Sequence, residues 1–369
     1  MNWVQEKLKT CTLKAEKDMT EKPTNIVVKI DKHSSVPRYK QVVESISRDI
    51  VNGKIKKGQR MPSISDLGEA CSLSKDTVEK AYRVLRNSNL IFTVKGVGNF
   101  ATANNSGYKP TVFFLINKPS SYKIEVYNAF VNAIDGNAHV NMYLYYCDED
   151  LFVDALKKNG SSYDYFVIMP HFNGEIQKDG NYTAKVIKAI ETISRERLII
   201  LDNSCAEISG TLAAIYQDYE ADVFHALEEA LGKLKKYQKI ILVFPAKLVF
   251  PYPKGILLGF VKFCKQHGFE FEILDEICDD LEIKSKEVYI TIEEEDLARL
   301  VQQIRENNWI MGKDIGLISY NETPLKALLG ITVISTDFKG MGKSAAKMLL
   351  DNKKTISKNP FHYIERNSL

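Results

Sequence analysis

Two groups of residues in this 369-residue chain have the types and spacing for recognition chemistry. The first is Lys75, Thr77, Glu79 and Lys80, packed within two turns of an expected helix. A lysine donates to guanine O6 and N7 and a glutamate accepts from cytosine N4, so Lys75 with Glu79 can read a step containing G and C. The competing reading of Glu79 is an i,i+4 pair with Arg83. The second group stands directly after apolar runs: Asn117, Ser120, Ser121 and Tyr122; His171, Phe172 and Asn173; Asp202 and Asn203; Glu294 and Glu295; Asn321 and Glu322. Amides and carboxylates in adjacent pairs suit vicinal hydroxyls, and an aromatic face suits the C–H surface of a sugar ring. Tyr122 and Phe172 serve equally well as core aromatics, and Asp218, also after a strand, suits a helix cap. Catalytic patterns do not emerge: His171 has no spaced metal-binding partner, Glu294 and Glu295 are neighbours rather than an opposed pair, and no G-x-S-x-G elbow occurs. No enzyme activity, cofactor or metal is expected.

The first group needs a scaffold that presents one helix end, and the segment from Pro37 to Ala101 provides it. Tyr39, Val42, Val43, Ile46 and Ile50 recur at helical spacing, with Gly53 placed as a C-terminal cap. Ser63 caps a short second helix carrying Leu67 and Ala70, and Ser74 caps a third with Val78, Ala81, Tyr82 and Leu85 on one face. Only Cys71, Ser72 and Leu73 separate them, a turn of helix-turn-helix length. Leu90 to Val94 then favours a strand, Lys95 to Gly98 a turn, and Asn99 to Ala101 a return. The pattern predicts a winged helix-turn-helix.

These residues resemble the GntR family of bacterial repressors. The resemblance runs through Val28 to Asp31, Pro37, Tyr39, Gln41, Gly53, Gly58, Met61, Pro62 and Ser63, then Leu73, Ser74, Lys75, Thr77, Val78, Ala81, Leu85 and the Gly96 to Gly98 wing. It implies that the recognition helix enters the major groove of operator DNA by its N-terminal end, with Ser74, Lys75 and Thr77 there, Glu79 and Lys80 one turn on, and Lys95 and Gly96 at the wing tip. It implies a DNA role for the Ser63 region too. Two positions depart from the family: Ser65 stands where an arginine follows the Pro-Ser pair, and Glu79 where a basic residue is frequent. Base preference is therefore expected to be unusual.

Charge divides along the same boundary. Residues 1–108 carry 19 Lys and Arg against 11 Asp and Glu, a balance of +8, while residues 109–369 carry 31 against 36, a balance of −5. The basic end suits phosphates and the acidic remainder does not. Cys11, Cys71, Cys147, Cys205, Cys264 and Cys278 form no C-x-x-C pair and read as reduced thiols of a cytoplasmic protein. No signal-type apolar run opens the chain, and the most apolar window, Ile240 to Phe263, holds Pro245, Lys247, Pro251, Pro253 and Lys254, which exclude a membrane helix.

The expected domains are a leader of unassigned role over 1–25, a DNA-binding domain over 26–102 opening with a strand at Ile26 to Ile30, a linker over 103–110, and an α/β effector domain over 111–369. In the last, short apolar strands alternate with amphipathic helices, the pattern of parallel α/β sheets. Strands are expected at Val112–Ile116, Val140–Tyr146, Tyr165–Met169, Leu198–Asp202, Ala213–Tyr216, Lys239–Val243, Glu270–Leu274, Glu287–Ile292 and Gly316–Ser319.

This order resembles the effector domain of LacI-type repressors and periplasmic sugar-binding proteins. Asp218, Tyr219 and Glu220, then Glu295 to Ala298, Ile315 to Asn321, and Ile331 to Thr336 followed by Met341, Gly342, Ala345, Ala346 and Leu349 carry the likeness. It implies two lobes with a cleft at strand C-terminal ends, lined by Asn117, Ser121, Tyr122, His171, Phe172, Asn203, Glu295 and Asn321. Relatives hold hydroxyls with aspartates at the positions of Asn321 and Glu295 and place an arginine at Asn203. With that cation missing, a neutral sugar is the expected effector, and a sugar phosphate or sugar acid held by Lys118 or Lys254 is the alternative. The whole reads as a cytoplasmic, dimeric, sugar-responsive repressor of carbohydrate-utilisation genes. A pyridoxal-phosphate fusion enzyme is disfavoured, because the region after the linker is short for that fold and lacks a strand-flanked lysine with its acid and arginine.

Overall fold

The structure, a computed structural model, describes residues 26, 28, 30, 37–51, 53–102, 109–160, 162–172, 182–203, 207–245, 252–278 and 281–369. The expected leader, most of the linker, Asn173, Cys11 and Cys205 lie outside these residues. Contacts divide the chain into two compact units; the helices and hairpin of residues 38–101 belong to one, and the cleft described below lies wholly within the other.

The first element group is α1 (Arg38–Val51), α2 (Ile64–Cys71), α3 (Lys75–Asn87), β1 (Ile91–Val94) and β2 (Gly98–Ala101). Its core is the set that the apolar spacing selects, with Val42, Ile46, Val78, Ala81, Tyr82 and Leu85 fully buried. Ser63 closes a capping box at α2: its Oγ accepts from the Asp66 N–H at 3.1 Å while Asp66 accepts from the Ser63 N–H at 3.4 Å. Ser74 caps α3 by accepting from the Thr77 N–H at 3.3 Å. β1 and β2 pair antiparallel from Ile91 opposite Ala101 to Val94 opposite Gly98. Gly96, at a φ of 80°, takes the turn position that a side chain would strain, closed by the Val97 N–H donating to the Val94 carbonyl at 3.0 Å. The strand expected at Ile26 to Ile30 does not appear at its described residues 26, 28 and 30. The Val28 carbonyl accepts instead from the Cys71 thiol at 3.6 Å, and its side chain packs into the helical core.

In the α/β region, β3 (Thr111–Ile116), β4 (His139–Leu144), β5 (Tyr165–Ile168), β6 (Leu198–Asp202), β7 (Ala213–Tyr216) and β13 (Ile356–Lys358) form one sheet in the order β13-β7-β6-β5-β3-β4. The other contains β8 (Lys239–Val243), β9 (Glu270–Leu274), β10 (Glu287–Thr291), β11 (Gly316–Tyr320), β12 (Thr332–Thr336) and β14 (Phe361–Ile364), in the order β14-β12-β11-β10-β8-β9. Interior strands such as β6 and β10 are buried at every residue, as parallel strands covered on both faces must be. β14 runs antiparallel to β12.

Helices α4 (Ser121–Ile134), α5 (Glu149–Asn159), α6 (Ala184–Glu191), α7 (Tyr219–Leu234), α8 (Lys254–His267), α9 (Glu294–Glu306), α10 (Pro324–Leu328) and α11 (Phe338–Leu350) fill the connections. α7 buries Val223, Ala226, Leu227, Ala230 and Leu234, an i, i+3, i+4, i+7, i+11 stripe. α11 follows β12 yet packs on α4 of the first sheet, where a Cβ on Gly342 would stand 2.3 Å from the Val126 carbonyl oxygen. Only glycine lets these backbones approach so closely. No helix among the described residues is long and apolar enough to cross a membrane.

Candidate functional site

The exposed end of α3 gathers the charged residues of the first group. Lys75, Glu79 and Lys80 are exposed and Thr77 is half-buried. Ser74 and Thr77 share a hydroxyl contact of 2.8 Å, so both side chains also hold the helix start in place. Lys80 Nζ lies 4.1 Å from the centre of the Tyr39 ring, a cation–π contact between α3 and α1. No ion pair joins Glu79 to Arg83 among the described residues, which leaves the Glu79 carboxylate open to solvent. Ser63 is exposed at the start of α2 and Ser65 is half-buried within its first turn. Tyr82 ties α3 to the segment before α2 by donating to the Pro62 carbonyl at 2.8 Å.

At the hairpin, Lys95 and Gly96 are exposed at the tip beside Val97. A residue the sequence reading passed over, Arg60, supports that tip: its Nη2 donates to the Val97 carbonyl at 2.7 Å. Arg86 and Thr93 both donate to Asn99 Oδ1, at 3.4 and 2.7 Å, and so tie β2 to α3 and to β1.

The second group converges on a cleft of about 420 Å³ at the C-terminal ends of the parallel strands. Of the residues expected there, Asn117, Ser121, Tyr122, His171, Glu295 and Asn321 line it. Phe172 and Asn203 do not. Phe172 packs among Tyr145, Phe152 and Tyr182 at ring separations of 5.4, 5.1 and 6.5 Å, so its apolar ring joins the core. Asn203 donates from Nδ2 to the Pro170 carbonyl at 2.9 Å and fixes the loop after β5. Asp218 caps α7 by accepting from the Ala221 N–H at 3.2 Å.

At the centre of the cleft stands Asp202, the last residue of β6, held at a φ of 75°. It pairs with Lys123 of the first turn of α4, meets His171 Nε2 at 3.0 Å through Oδ2, and accepts from the Tyr219 hydroxyl at 2.8 Å through Oδ1. Burial opposes ionisation of this carboxyl, but the charge of Lys123 and the His171 and Lys123 hydrogen bonds outweigh it and hold Asp202 well below the carboxylate range. Burial and Lys123 push the His171 imidazole down, against the smaller upward pull of the Asp202 hydrogen bond and charge. Tyr145 fixes the preceding backbone by accepting from the His171 N–H at 2.7 Å and donating to the Met169 carbonyl at 2.7 Å.

Around this cluster the lining is aromatic and acidic. Tyr122 stacks on Phe338 at 5.2 Å and its hydroxyl stands 3.5 Å from Glu294 Oε1. Lys118 Nζ lies 4.6 Å from the centre of the Tyr252 ring, its amine pushed down by burial and then by Lys123. Glu295 is engaged by Arg299 at 2.6 Å, while Glu293 and Glu294 sit beside it at the start of α9. Asn117 and Asn321 are each 5% exposed and keep an amide oxygen with no hydrogen-bond partner among the described residues. The Asn117 amide nitrogen is spent on Cys147 Sγ at 3.4 Å. Lys123, Tyr219, Tyr252 and Tyr320 are not among the cleft residues expected from sequence, although each stands within a few residues of a strand–helix junction.

Comparison with known proteins matches both halves. Residues 38–100 match the family of bacterial regulatory proteins, gntR family. The HTH-type transcriptional repressor YtrA of Bacillus subtilis (strain 168) is 31% identical over 78 residues, 21% of this chain and 60% of YtrA. The repressor NagR of the same organism is 33% identical over 73 residues, 20% of this chain and 30% of NagR. The chain thus spans 60% and 30% of the lengths of these relatives. A lac repressor dimer bound to operator and the anti-inducer ONPF aligns with a TM-score of 0.53 at 14% identity, over 71% of this chain and 94% of that one. A LacI family transcriptional regulator from Lactobacillus casei with bound glucose aligns with a TM-score of 0.55 at 10% identity, over 70% of this chain and all of that one (100%). Residues 38–100 are a GntR helix-turn-helix domain, and the α/β region has the fold of LacI-type and periplasmic-binding-protein-like regulators.

Proposed function

We propose that this chain is a DNA-binding transcription regulator that acts on double-stranded operator DNA through the α3 end and the wing and responds to a small polyhydroxylated effector bound in the α/β cleft. The observation that carries the reading is one chain holding both a GntR domain, with Lys75 and Glu79 exposed at the start of its third helix, and a cleft of about 420 Å³. Lys75 reads base edges, Lys80 and Lys95 neutralise phosphates, and Ser63 and Ser74 hold the helix starts toward the backbone. In the cleft, Asn117 and Asn321 bond hydroxyls while Tyr122, stacked on Phe338, covers a sugar ring face. Effector binding changes DNA affinity by favouring one arrangement of the cleft over another, which requires different affinity for the two. The protein works as a homodimer on a two-fold-related site and controls genes for using the molecule it senses.

A phosphorylated or acidic effector is the weaker reading. Lys254 is exposed outside the cleft, and Lys118 faces the Glu293 and Glu294 wall. The test is selection of bound duplexes from a random pool at moderate salt, followed by binding to the enriched sequence with sedimentation of the complex. Enrichment of an inverted repeat bound by two chains is expected; a pool that remains random sinks the DNA half, and one chain per enriched site sinks the dimer.

A further inference from the structure

We propose that the effector carries a protonated amine beside its hydroxyls, an amino sugar or amino polyol, with the amine seated against Glu293 and Glu294. The inference rests on the cleft being the effector site. Within it, Lys123 and Asp202 cancel each other in a buried pair, and Glu295 is matched by Arg299. Among the described lining residues, what is left is one cation, Lys118, against two carboxylates, Glu293 and Glu294. Helix α9 begins at these carboxylates, so its N-terminal dipole accounts for some acidic character there. Two further observations separate this wall from an ordinary acidic helix start.

The first is the aromatic enclosure. Tyr122 and Tyr252 line the same cleft, with the Tyr122 hydroxyl 3.5 Å from Glu294, and Lys118 lies over the Tyr252 ring at 4.6 Å. The Tyr252 ring already holds the Lys118 ammonium, which shows that this wall accepts an amine beside its carboxylates. The second is the hydrogen-bond inventory. Asn117 and Asn321, each 5% exposed and both lining the cleft, retain amide oxygens with no donor among the described residues. Of the donors nearby, the His171 imidazole and the Tyr219 hydroxyl serve Asp202, as does one N–H of Lys123, and the Tyr320 hydroxyl has no partner among the described residues. A cleft with acceptors to spare selects a ligand rich in donors. An ammonium brings three donors and a charge, whereas a phosphate brings acceptors alone and meets the Glu293 and Glu294 wall.

The experiment is calorimetric titration of the full chain at pH 6.5 with matched pairs of hexoses and their 2-amino-2-deoxy forms, using glucose, galactose and mannose, and with the hexose 6-phosphates. Thermal midpoints of the free proteins verify that each variant is folded. At least one amino form is expected to bind about tenfold or more tightly than its hydroxyl parent, the scale of one charge-assisted hydrogen bond. In Glu293→Gln/Glu294→Gln the affinity of the amino form relative to its parent is expected to fall to near one. Parents that bind as well as or better than their amino forms, or a preference for the 6-phosphates, overturn the amine and leave the effector cleft standing. Binding by no member overturns both, and the duplex selection described above still stands on its own for the DNA half.

Discussion

The α3 end and the Asp202 cluster hold charge in opposite ways. On α3, Lys75 and Glu79 are exposed and enter no ion pair among the described residues, whereas Lys123 and Asp202 are buried and bonded to each other. A surface that meets a long polyanion gains from many contacts at once, so each charge can stay solvated until the partner displaces its counterions. A cleft for a small molecule has few contacts to offer. Its groups must be oriented beforehand by neighbours inside the protein. The same residue type therefore signals different things in the two places: an open lysine marks a contact surface, and a paired lysine marks scaffolding of a site.

The sharpest break of this contrast is Asp202→Asn. It strands the Lys123 ammonium, whose side chain is 10% exposed, and is expected to cost about 3–5 kcal/mol, the usual result of removing one partner of a buried pair. Urea unfolding reads it. Lys75→Ala in the same assay should stay within about 0.5 kcal/mol of the parent, as exposed substitutions do. Adding Lys123→Met to Asp202→Asn should recover part of the loss, because the stranded charge is gone. The pH sign is fixed as well. Asp202 sits below its ordinary 3.8 in the folded chain, so its contribution is complete above that value and declines as pH falls beneath it. Equal losses at Lys75 and Asp202 would dissolve the comparison.

On the DNA side the effects are smaller. Lys75→Ala should cost about 1–3 kcal/mol on a selected duplex and less on random DNA, which distinguishes base reading from phosphate contact. Equal losses on both would reassign Lys75 to the phosphates. Arg60→Ala should cost about 1 kcal/mol by loosening the wing tip, with the salt dependence of binding unchanged, since the guanidinium bonds the Val97 carbonyl. A slope lower by about one unit would instead make Arg60 a phosphate ligand.

Most of this fold was legible because local signals agreed. Ser63 and Ser74 cap the helices they were expected to cap, and β6, β7, β8 and β9 have the bounds that apolar runs delimit. The strands β13 and β14 were not foreseen: each has three or four residues, partly exposed, and their pairing is decided by contacts far along the chain. The rule that cleft residues follow strands finds Asn117, His171 and Asn321 on the lining. It fails at Phe172, whose ring packs on Tyr145 and Phe152, and at Asn203, whose amide bonds the Pro170 carbonyl. It also overlooks Lys123 and Tyr219, which lie on helices and reach Asp202 through folding rather than through sequence proximity. Burial and pairing are three-dimensional properties, and no spacing rule contains them.

Lys326 tests the comparison from a third side, as a buried cation whose ammonium, among the described residues, bonds backbone alone. The residue is 1% exposed, and its Nζ donates to the Tyr320 and Asn321 carbonyls at 2.9 and 3.0 Å, beneath the turn where Asn321 adopts a φ of 64°. Burial pushes its amine down to about 8, against the smaller upward pull of Glu294 and Glu322. A base lowered on folding is protonated more readily in the unfolded chain between its two values, so stability rises with pH from about 8 toward the ordinary 10.5. The gain expected from pH 8 to 9 is about 1 kcal/mol. Buried tyrosines such as Tyr289, raised by burial, act in the opposite direction above pH 10, which limits the useful window to pH 8–10. Urea unfolding of the parent and of Lys326→Met across that window isolates the term. The parent's stability should climb relative to the variant's, because methionine fills the same space without a titrating group. A constant difference between the two would mean that the two carbonyls hold the ammonium as well as water does, and that this charge, like those on α3, is free of any burial penalty.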